Sequence, residues 1–520
     1  MSNCSSCSLY QIEPGNENKR IPTPLEKSDK ARPNCAVTGV YNHPQASAMV
    51  YYSLHAQQHR GQEASGITSL YFDERKKKMH YAYVKDEGLV LDVFAEKGTF
   101  RDVLRGKSAV GHNRYSTTGA SSQLNIQPFN MIYDEGILAL AHNGNLTNTK
   151  TLKTELQHEG AIFQTTTDSE VFLHLIARSK QDTVIGRIRE TLQTVRGAYS
   201  LCIQSDEKMY AARDPHGVRP LSIGRKKNDD GTWSFMVASE TCGFDIVSYE
   251  YMRSVGHNEI VVFDEESKTT GEVKSEKILD KTPESKHCIS EYIYFSRPDS
   301  KIYGENVDKV RRKLGKNLAE ESPMKSKDGY KMTVFAVPDS GNTATLGYAR
   351  SNTKQGNDTA YEIGLIRSHY VGRTFIAPGQ ESREFKVKTK FNTVEGVIED
   401  RNIVVVDDSI VRGTTSKALI KLIRGSRPKE LHMMITSPPV KFPCYYGMDF
   451  PSAEELIANH YETTADIAKE IGVDTLTYIS KEKMLESVPQ EEGIGYCTAC
   501  FTGNYPIPIE LSPDTEPLSD

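Results

Sequence analysis

The sequence predicts an α+β domain of strands and flanking helices followed by an α/β domain built on a doubly wound parallel sheet. The α/β expectation comes from Ile403–Ser416, read as Ile-Val-Val-Val-Asp-Asp-Ser-Ile-Val-Arg-Gly-Thr-Thr-Ser. Its four apolar, mostly β-branched residues are too few for a helix and suit a strand buried on both faces. The strand ends in Asp407 and Asp408; after the loop, Ala418, Leu419, Leu422 and Ile423 give a helical pattern that stops at Gly425. The α+β expectation comes from the run of short strands after Arg196: Gly197–Ile203, Met209–Arg213, Leu221–Gly224, Phe235–Ser239 and Ile260–Phe263. Turn residues such as Asp214-Pro215-His216-Gly217 separate them. Between the two patterns, residues 264–286 are dominated by charge, Thr and Ser, which marks the boundary.

Composition is compatible with two large domains. The chain has 520 residues, 37% hydrophobic and 26% charged, with a net charge of -5. Basic residues are scattered, so neither nucleic acid nor membrane is an expected partner. No apolar run approaches the ~18 residues of a membrane span, and the first thirty residues lack a signal peptide's apolar stretch, so the expected compartment is the cytosol. Nine cysteines in a chain this long are too few for a secreted disulfide scaffold.

Residues 1–34 are polar, without periodicity, and expected to be disordered; Cys4 and Cys7 within them are a weak metal signal. At Cys35 a strand pattern begins, Cys-Ala-Val-Thr-Gly-Val-Tyr, followed by a helical pattern through Ala48, Met49, Tyr52 and Leu54. Taken singly, the residues that follow read plainly. Cys35 is a buried strand thiol, Asn143-Gly144 a hairpin turn, Arg114 half of an ion pair, and Asp168 an N-terminal helix residue. Together they do not. The Cys35 start, Gln58-His59-Arg60-Gly61-Gln62, Gly111-His112-Asn113-Arg114-Tyr115-Ser116-Thr117-Thr118-Gly119, Ala141-His142-Asn143-Gly144-Asn145-Leu146 and Thr167-Asp168 resemble, in order and spacing, the class II glutamine amidotransferases.

That resemblance implies an N-terminal-nucleophile αββα sandwich over residues 35–270. Cys35 would be the nucleophile, with its own α-amino group as base, since a thiol of reference pKa about 8.5 needs one nearby. Residues 1–34 would then be a propeptide cleaved between Asn34 and Cys35. Asn143 and the Gly144 N–H would stabilise the oxyanion, Arg114 would hold the substrate α-carboxylate and Asp168 its α-ammonium group. Asn113 and Ser116 stand where relatives often vary. Cys202 is expected in the core and Cys242 in a loop.

The loop after Asp408 gathers backbone N–H groups, a helix N-terminus and the hydroxyls of Thr414, Thr415 and Ser416, which suits a phosphate; the two acids suit a diol or magnesium. A plain strand-to-helix turn is the alternative for Asp-Asp alone. The whole string resembles the 5-phosphoribosyl-1-pyrophosphate (PRPP) motif of type I phosphoribosyltransferases. This implies that Arg412, Gly413, Thr414 and Thr415 hold the 5-phosphate while Asp407 and Asp408 face ribose and magnesium. Val334–Gly341 matches the pyrophosphate loop, with Ser340 directed at magnesium. The basic residues between Arg367 and Lys390 (Arg373, Arg383, Lys386 and Lys388 among them) match a loop that closes on PRPP.

Cys497-x-x-Cys500 with Cys288 and Cys444 can hold zinc or an iron-sulfur cluster, and spacing alone does not choose. Cys288–Ser300 resembles the junction of one amidotransferase family whose second domain, here 285–503, is a phosphoribosyltransferase. One branch of that family carries a [4Fe-4S] cluster at matching positions and a cleaved propeptide. The resemblance further implies transfer of the glutamine amide nitrogen to PRPP, giving 5-phosphoribosylamine, pyrophosphate and glutamate, the first committed step of purine synthesis. Feedback by purine nucleotides and a homo-oligomer, a tetramer, belong to the same expectation. The rivals are an amidotransferase with another acceptor and an inactive PRPP-sensing regulator. Residues 504–520 are expected to be an acidic frayed tail.

Overall fold

The computed structural model describes residues 35–115, 123–325, 331–368, 383–448, 450 and 452–510, the side chains of 383–386 excepted. The propeptide expectation, with Cys4, Cys7 and the Asn34–Cys35 junction, lies outside these residues. So do Ser116–Gly119, Arg373, the side chains of Arg383 and Lys386, and 511–520.

Two antiparallel sheets occupy the first half. One has seven strands in the order Glu250–Ser254, Ser222–Lys227, Trp233–Ala238, Ala36–Tyr41, Ser108–Arg114, Ala64–Asp73 and Lys78–Glu87. The other has six: Lys274–Lys277, Glu259–Phe263, Met209–Arg213, Gly197–Gln204, Gly136–Leu146 and Phe129–Tyr133. Alternation along the strands explains the stacking. Val37, Tyr41 and Val110 of the first sheet meet Ala141, Cys202, Ala211 and Val261 of the second in one core. The outer faces are covered by helices. Ala46, Val50 and Leu54 of Ala46–Ala56 pack on Ala36, Val40 and Ile67, while Val171, Phe172 and Ile176 of Glu170–Arg178 pack on Leu138, Leu140 and Leu201. Helix, sheet, sheet, helix is the αββα arrangement.

Two sequence expectations are corrected here. Strand Lys274–Lys277 pairs with Glu259–Phe263, so the sheet of the first half continues past residue 270 into the charged stretch. Cys242 opens the short helix Cys242–Asp245 and is buried, because Phe244 beside it anchors that helix in the core.

The second half is a five-stranded parallel sheet ordered Thr359–Tyr361, Met332–Ala336, Asn402–Asp407, Glu430–Ile435, Thr475–Tyr478. Val404 and Val406 face a core shared with helix Val307–Glu321 and Tyr348; Ile403 and Val405 face one shared with Leu419, Ile420 and Ile423 of helix Thr414–Gly425. Both faces are therefore dry, which is why the strand reads as continuously apolar. In chain order the strands run 2-1-3-4-5, which places a topological switch point between Met332–Ala336 and Asn402–Asp407. A ligand crevice is expected there, at the carboxyl ends. The supposed frayed tail is a third correction: Tyr505 and Ile507 bond to Pro443 and Tyr446, so 504–510 is docked.

Candidate active sites

Cys35 immediately precedes strand Ala36–Tyr41, whose first residue pairs with Asn113, so the thiol lies beside Arg114. The Cys35 Sγ is 3.8 Å from the Tyr115 carbonyl oxygen, and its own carbonyl accepts the Arg60 Nε–H at 3.3 Å. Burial pushes the thiol above its ordinary value; the Tyr115 backbone and the Arg114 charge pull it back, and Asp168 and Glu63 push it up. The predicted Cys35, Arg114 and Asp168 thus share one electrostatic environment. The thiol needs a base to act at neutral pH.

Strand Gly136–Leu146 packs across Ala36–Tyr41 from the facing sheet and carries Asn143 and Gly144. Among the described residues the buried Asn143 amide has no hydrogen-bond partner at either Nδ2 or Oδ1. Leaving such a group unpaired costs about 1–3 kcal/mol, so it belongs where a ligand completes it. Gly144 has φ +154°, and a Cβ there would lie 2.0 Å from the Ala198 carbonyl oxygen, so only glycine fits. Asp168 is fixed to the same strand: its Oδ2 accepts the Leu146 N–H at 2.9 Å and its Oδ1 the Ser169 hydroxyl at 3.2 Å. Ser169 also bonds the His142 Nδ1 at 2.9 Å. Asn113 is structural, donating to Leu54 O at 2.8 Å and accepting from Ser65 at 3.1 Å.

Sequence reasoning gave no role to Arg60, although its segment was part of the motif. It pairs with Glu240 and, at 2.8 Å, with Glu291; Glu291 also meets Arg219 at 3.2 Å, all four side chains being fully buried. Burial alone would lower the Arg60 guanidinium; Glu291 and Glu240 more than offset it. The only sequence signal for this network was the Arg between His59 and Gly61.

At the switch point the Ser340 hydroxyl donates to Asp408, joining the two loops assigned to PRPP. Asp407 and Asp408 are buried; the Asp407 Oδ1 accepts the Asp408 N–H at 2.9 Å and Ser409 donates to Asp408 at 2.6 Å. Gly413 caps helix Thr414–Gly425 with φ 80°, and Thr414 and Thr415 stand at that N-terminus. The Arg412 Nε donates to Glu455 at 2.7 Å, and Arg367 pairs with Asp339 at 2.8 Å.

Among the described residues no three His, Cys, Asp or Glu side chains converge on a point suited to one metal ion. Magnesium needs only one or two carboxylates when phosphates and water complete its shell, and Asp408 with Ser340 and Asp407 fits that requirement. The four cysteines come together in the structure. Cys288 and Cys497 are register partners in a two-residue parallel bridge, Cys500 lies on the following helix, and Cys444 joins them in one apolar cluster. None forms a disulfide. Tyr446 N–H bonds Cys444 Sγ at 3.4 Å and Ser290 Oγ lies 3.9 Å from Cys500 Sγ.

Fold and site define a glutamine amidotransferase joined to a phosphoribosyltransferase-type sheet, and residues 112–245 match the family model described as a glutamine amidotransferase domain. A chloroplastic amidophosphoribosyltransferase 1 of Arabidopsis thaliana is 44% identical over 96% of this chain and 84% of its own. A solved structure of the allosteric regulatory enzyme of purine biosynthesis superposes with TM-score 0.82 at 42% identity, over 92% of this chain and 97% of that one. The glutamine PRPP amidotransferase from B. subtilis, complexed with ADP and GMP, gives TM-score 0.80 at 42% identity, over 91% and 98%. The chain belongs to the amidophosphoribosyltransferase family. It is an enzyme that transfers the amide nitrogen of glutamine to PRPP, opening purine biosynthesis. Among the described residues no helix is long and apolar enough to cross a membrane.

Proposed function

We propose that the two half-reactions divide between residues 35–270, with the added strand to Lys277, and residues 285–503. Cys35 attacks the glutamine carboxamide carbon, the carbonyl electron pair moves to oxygen, and collapse expels ammonia and leaves a thioester that water hydrolyses to glutamate. The Cys35 α-amino group, freed by removal of residues 1–34, takes the thiol proton and returns one to the leaving ammonia. Arg114 and Asp168 hold the amino acid end. Asn143 and Gly144 supply the oxyanion donors, and the observation that carries this reading is the buried, unpartnered Asn143 amide. Ammonia then displaces pyrophosphate from C1 of PRPP, whose 5-phosphate meets Gly413, Thr414 and Thr415. Arg412 belongs to the same phosphate-binding loop, with its Nε held by Glu455.

Asp407, Asp408 and Ser340 would hold magnesium, which neutralises the leaving pyrophosphate. Cys288, Cys444, Cys497 and Cys500 would hold a [4Fe-4S] cluster, which ties the domain junction to the C-terminal segment. A cytosolic, reducing compartment suits such a cluster and the free thiols. The relatives' allosteric and ADP–GMP descriptions support purine nucleotides as feedback inhibitors; a homo-oligomer of tetramer size is part of the same proposal.

The test is glutamate release with and without PRPP and magnesium. Cys35→Ala should abolish glutamine-dependent synthesis and spare synthesis from added ammonia. Asn143→Ala should lower kcat about 10²- to 10³-fold with little change in KM. Glutamate release that survives loss of Cys35 would overturn the reading. Intact mass of the active protein should correspond to a chain beginning at Cys35, and anaerobic protein should show iron-sulfur charge-transfer absorbance.

A further inference from the structure

Near its end, at Gly144, strand Gly136–Leu146 meets a segment from the other half of the chain. Asn145 Nδ2 donates to the Tyr445 carbonyl at 2.9 Å. The fully buried Arg219 donates from Nε and Nη2 to the Tyr446 carbonyl at 3.0 and 2.9 Å. Its own carbonyl accepts the hydroxyl of Ser200, the register partner of Asn143, at 3.0 Å. Gly447 follows with φ +97°, and a Cβ on it would lie 3.1 Å from both C and O of Gly144 and 3.3 Å from its Cα. The two glycine backbones are therefore in direct contact across the domain junction.

Gly144 has no side chain to hold its peptide, and φ +154° is a conformation that leaves the orientation to its surroundings. On one side stands the Ala198 carbonyl of its own sheet; on the other stands Gly447. Oxyanion stabilisation depends on donors held in place before the charge develops. The segment 444–447 is itself firmly anchored. The Tyr446 hydroxyl donates to Ile507 O at 2.7 Å and accepts from Ile507 N at 3.0 Å, while Cys444 belongs to the four-cysteine site.

We propose that Gly447 is a positioning residue for glutamine hydrolysis: with the Tyr445 and Tyr446 carbonyls it forms the outer wall of the oxyanion hole and fixes the Gly144 peptide. The inference rests on the reading of Asn143 and Gly144 as oxyanion donors and adds that the second half of the chain completes their site. It follows that any shift of the Cys444 segment reaches the glutaminase transition state without passing through the PRPP loops.

The experiment compares wild type, Cys35→Ala, Gly447→Ala and Asn145→Ala. It reads kcat and KM for glutamine hydrolysis, the rate with added ammonia, and binding of glutamate and of glutamate γ-semialdehyde. The semialdehyde adds the Cys35 S–H across its C=O, forming one C–S bond and placing the former carbonyl oxygen in the hole without any other reactant. Gly447→Ala should lower kcat at least about tenfold, less than deletion of a donor, with KM within about twofold. Semialdehyde affinity should fall by the same factor while glutamate binding and the ammonia-dependent rate stay within about twofold. Asn145→Ala removes the hydrogen bond to the Tyr445 carbonyl without backbone strain and should give about a fivefold loss of the same kind, so the inference stands or falls even if Gly447→Ala does not fold. Unchanged kcat and semialdehyde affinity in the folded variants would overturn it, as would a change in KM alone or a parallel loss of the ammonia-dependent rate. If Cys35→Ala still releases glutamate, the glutaminase reading itself fails; if only the wall variants behave as wild type, this inference alone does.

Discussion

Cys35 and His112 sit on adjacent strands with opposite requirements of charge. In the proposed reaction Cys35 must lose a proton, whereas His112 must not gain one. His112 is fully buried, its Nε2 donates to the His142 carbonyl at 3.1 Å, and its Nδ1 has no partner among the described residues. Burial, joined by the Arg114 charge, pushes its pKa down to about 3. An unfolded histidine titrates near ~6.5, so the unfolded chain binds the proton first. The contribution to stability is complete above that value and is lost as pH falls toward the folded value. Between pH 7 and pH 5 the thermal midpoint of His112→Gln should therefore fall less than that of wild type, and an equal fall would assign the acid sensitivity to other groups. Cys35, Arg114, Asn143 and Asp168 could be proposed from the sequence because each residue type suits one chemical task in an ordered set. The neutrality of His112 was not, although it stands in the same motif, because it depends on two sheets closing over it.

The strand Asn402–Asp407 and the helix Thr414–Gly425 were legible as elements for a physical reason. Both faces of the strand are buried, and the loop between them combines acids, glycine and hydroxyls in a row. Gly413 makes that loop possible: φ is 80°, and a Cβ would lie 2.3 Å from Ile457 Cδ1. Gly413→Ala forces a shift costing about 1–3 kcal/mol at the phosphate loop, which corresponds to about a 5- to 150-fold rise in KM for PRPP in the ammonia-dependent assay. Basal glutamate release should be unchanged; an unaltered KM for PRPP would remove Gly413 from the phosphate site. Other elements escaped sequence reading. The hairpin Ala64–Asp73 with Lys78–Glu87 carries enough exposed polar residues to blur its period, and its pairing to Ser108–Arg114 is set by partners distant in sequence. The segment 504–510 looked frayed because it opens an acidic, Pro-rich stretch, yet Tyr505 and Ile507 find acceptors and donors about sixty residues upstream.

At the scale of the molecule, the two halves meet through buried charge. Arg60 contacts Glu240 and Glu291, Glu291 contacts Arg219, and Arg219 holds the Tyr446 carbonyl. Glu240 also accepts from Arg297 N at 2.9 Å and Ser300 at 2.8 Å, and the Arg60 guanidinium lies 4.3 Å from the centre of the Phe295 ring. None of these four charged side chains reaches solvent, so none can be rescued by water when a partner is removed. Glu291 is shared by two arginines and is the member whose loss leaves most charge uncompensated. Glu291→Ala should destabilise the protein by about 3–5 kcal/mol, read as a lower thermal midpoint. Replacing Arg219 by Met in the same background removes one stranded guanidinium and should recover part of that loss; a further fall instead would mean that Arg219 acts mainly through the Tyr446 carbonyl. The functional consequence has a direction as well. Arg60 bonds the Cys35 carbonyl, so loosening its carboxylate partners disorders the strand end that carries the proposed nucleophile. Glu291→Ala should therefore reduce PRPP-stimulated glutamate release more than synthesis from added ammonia. Equal loss of both activities would assign the network to folding alone.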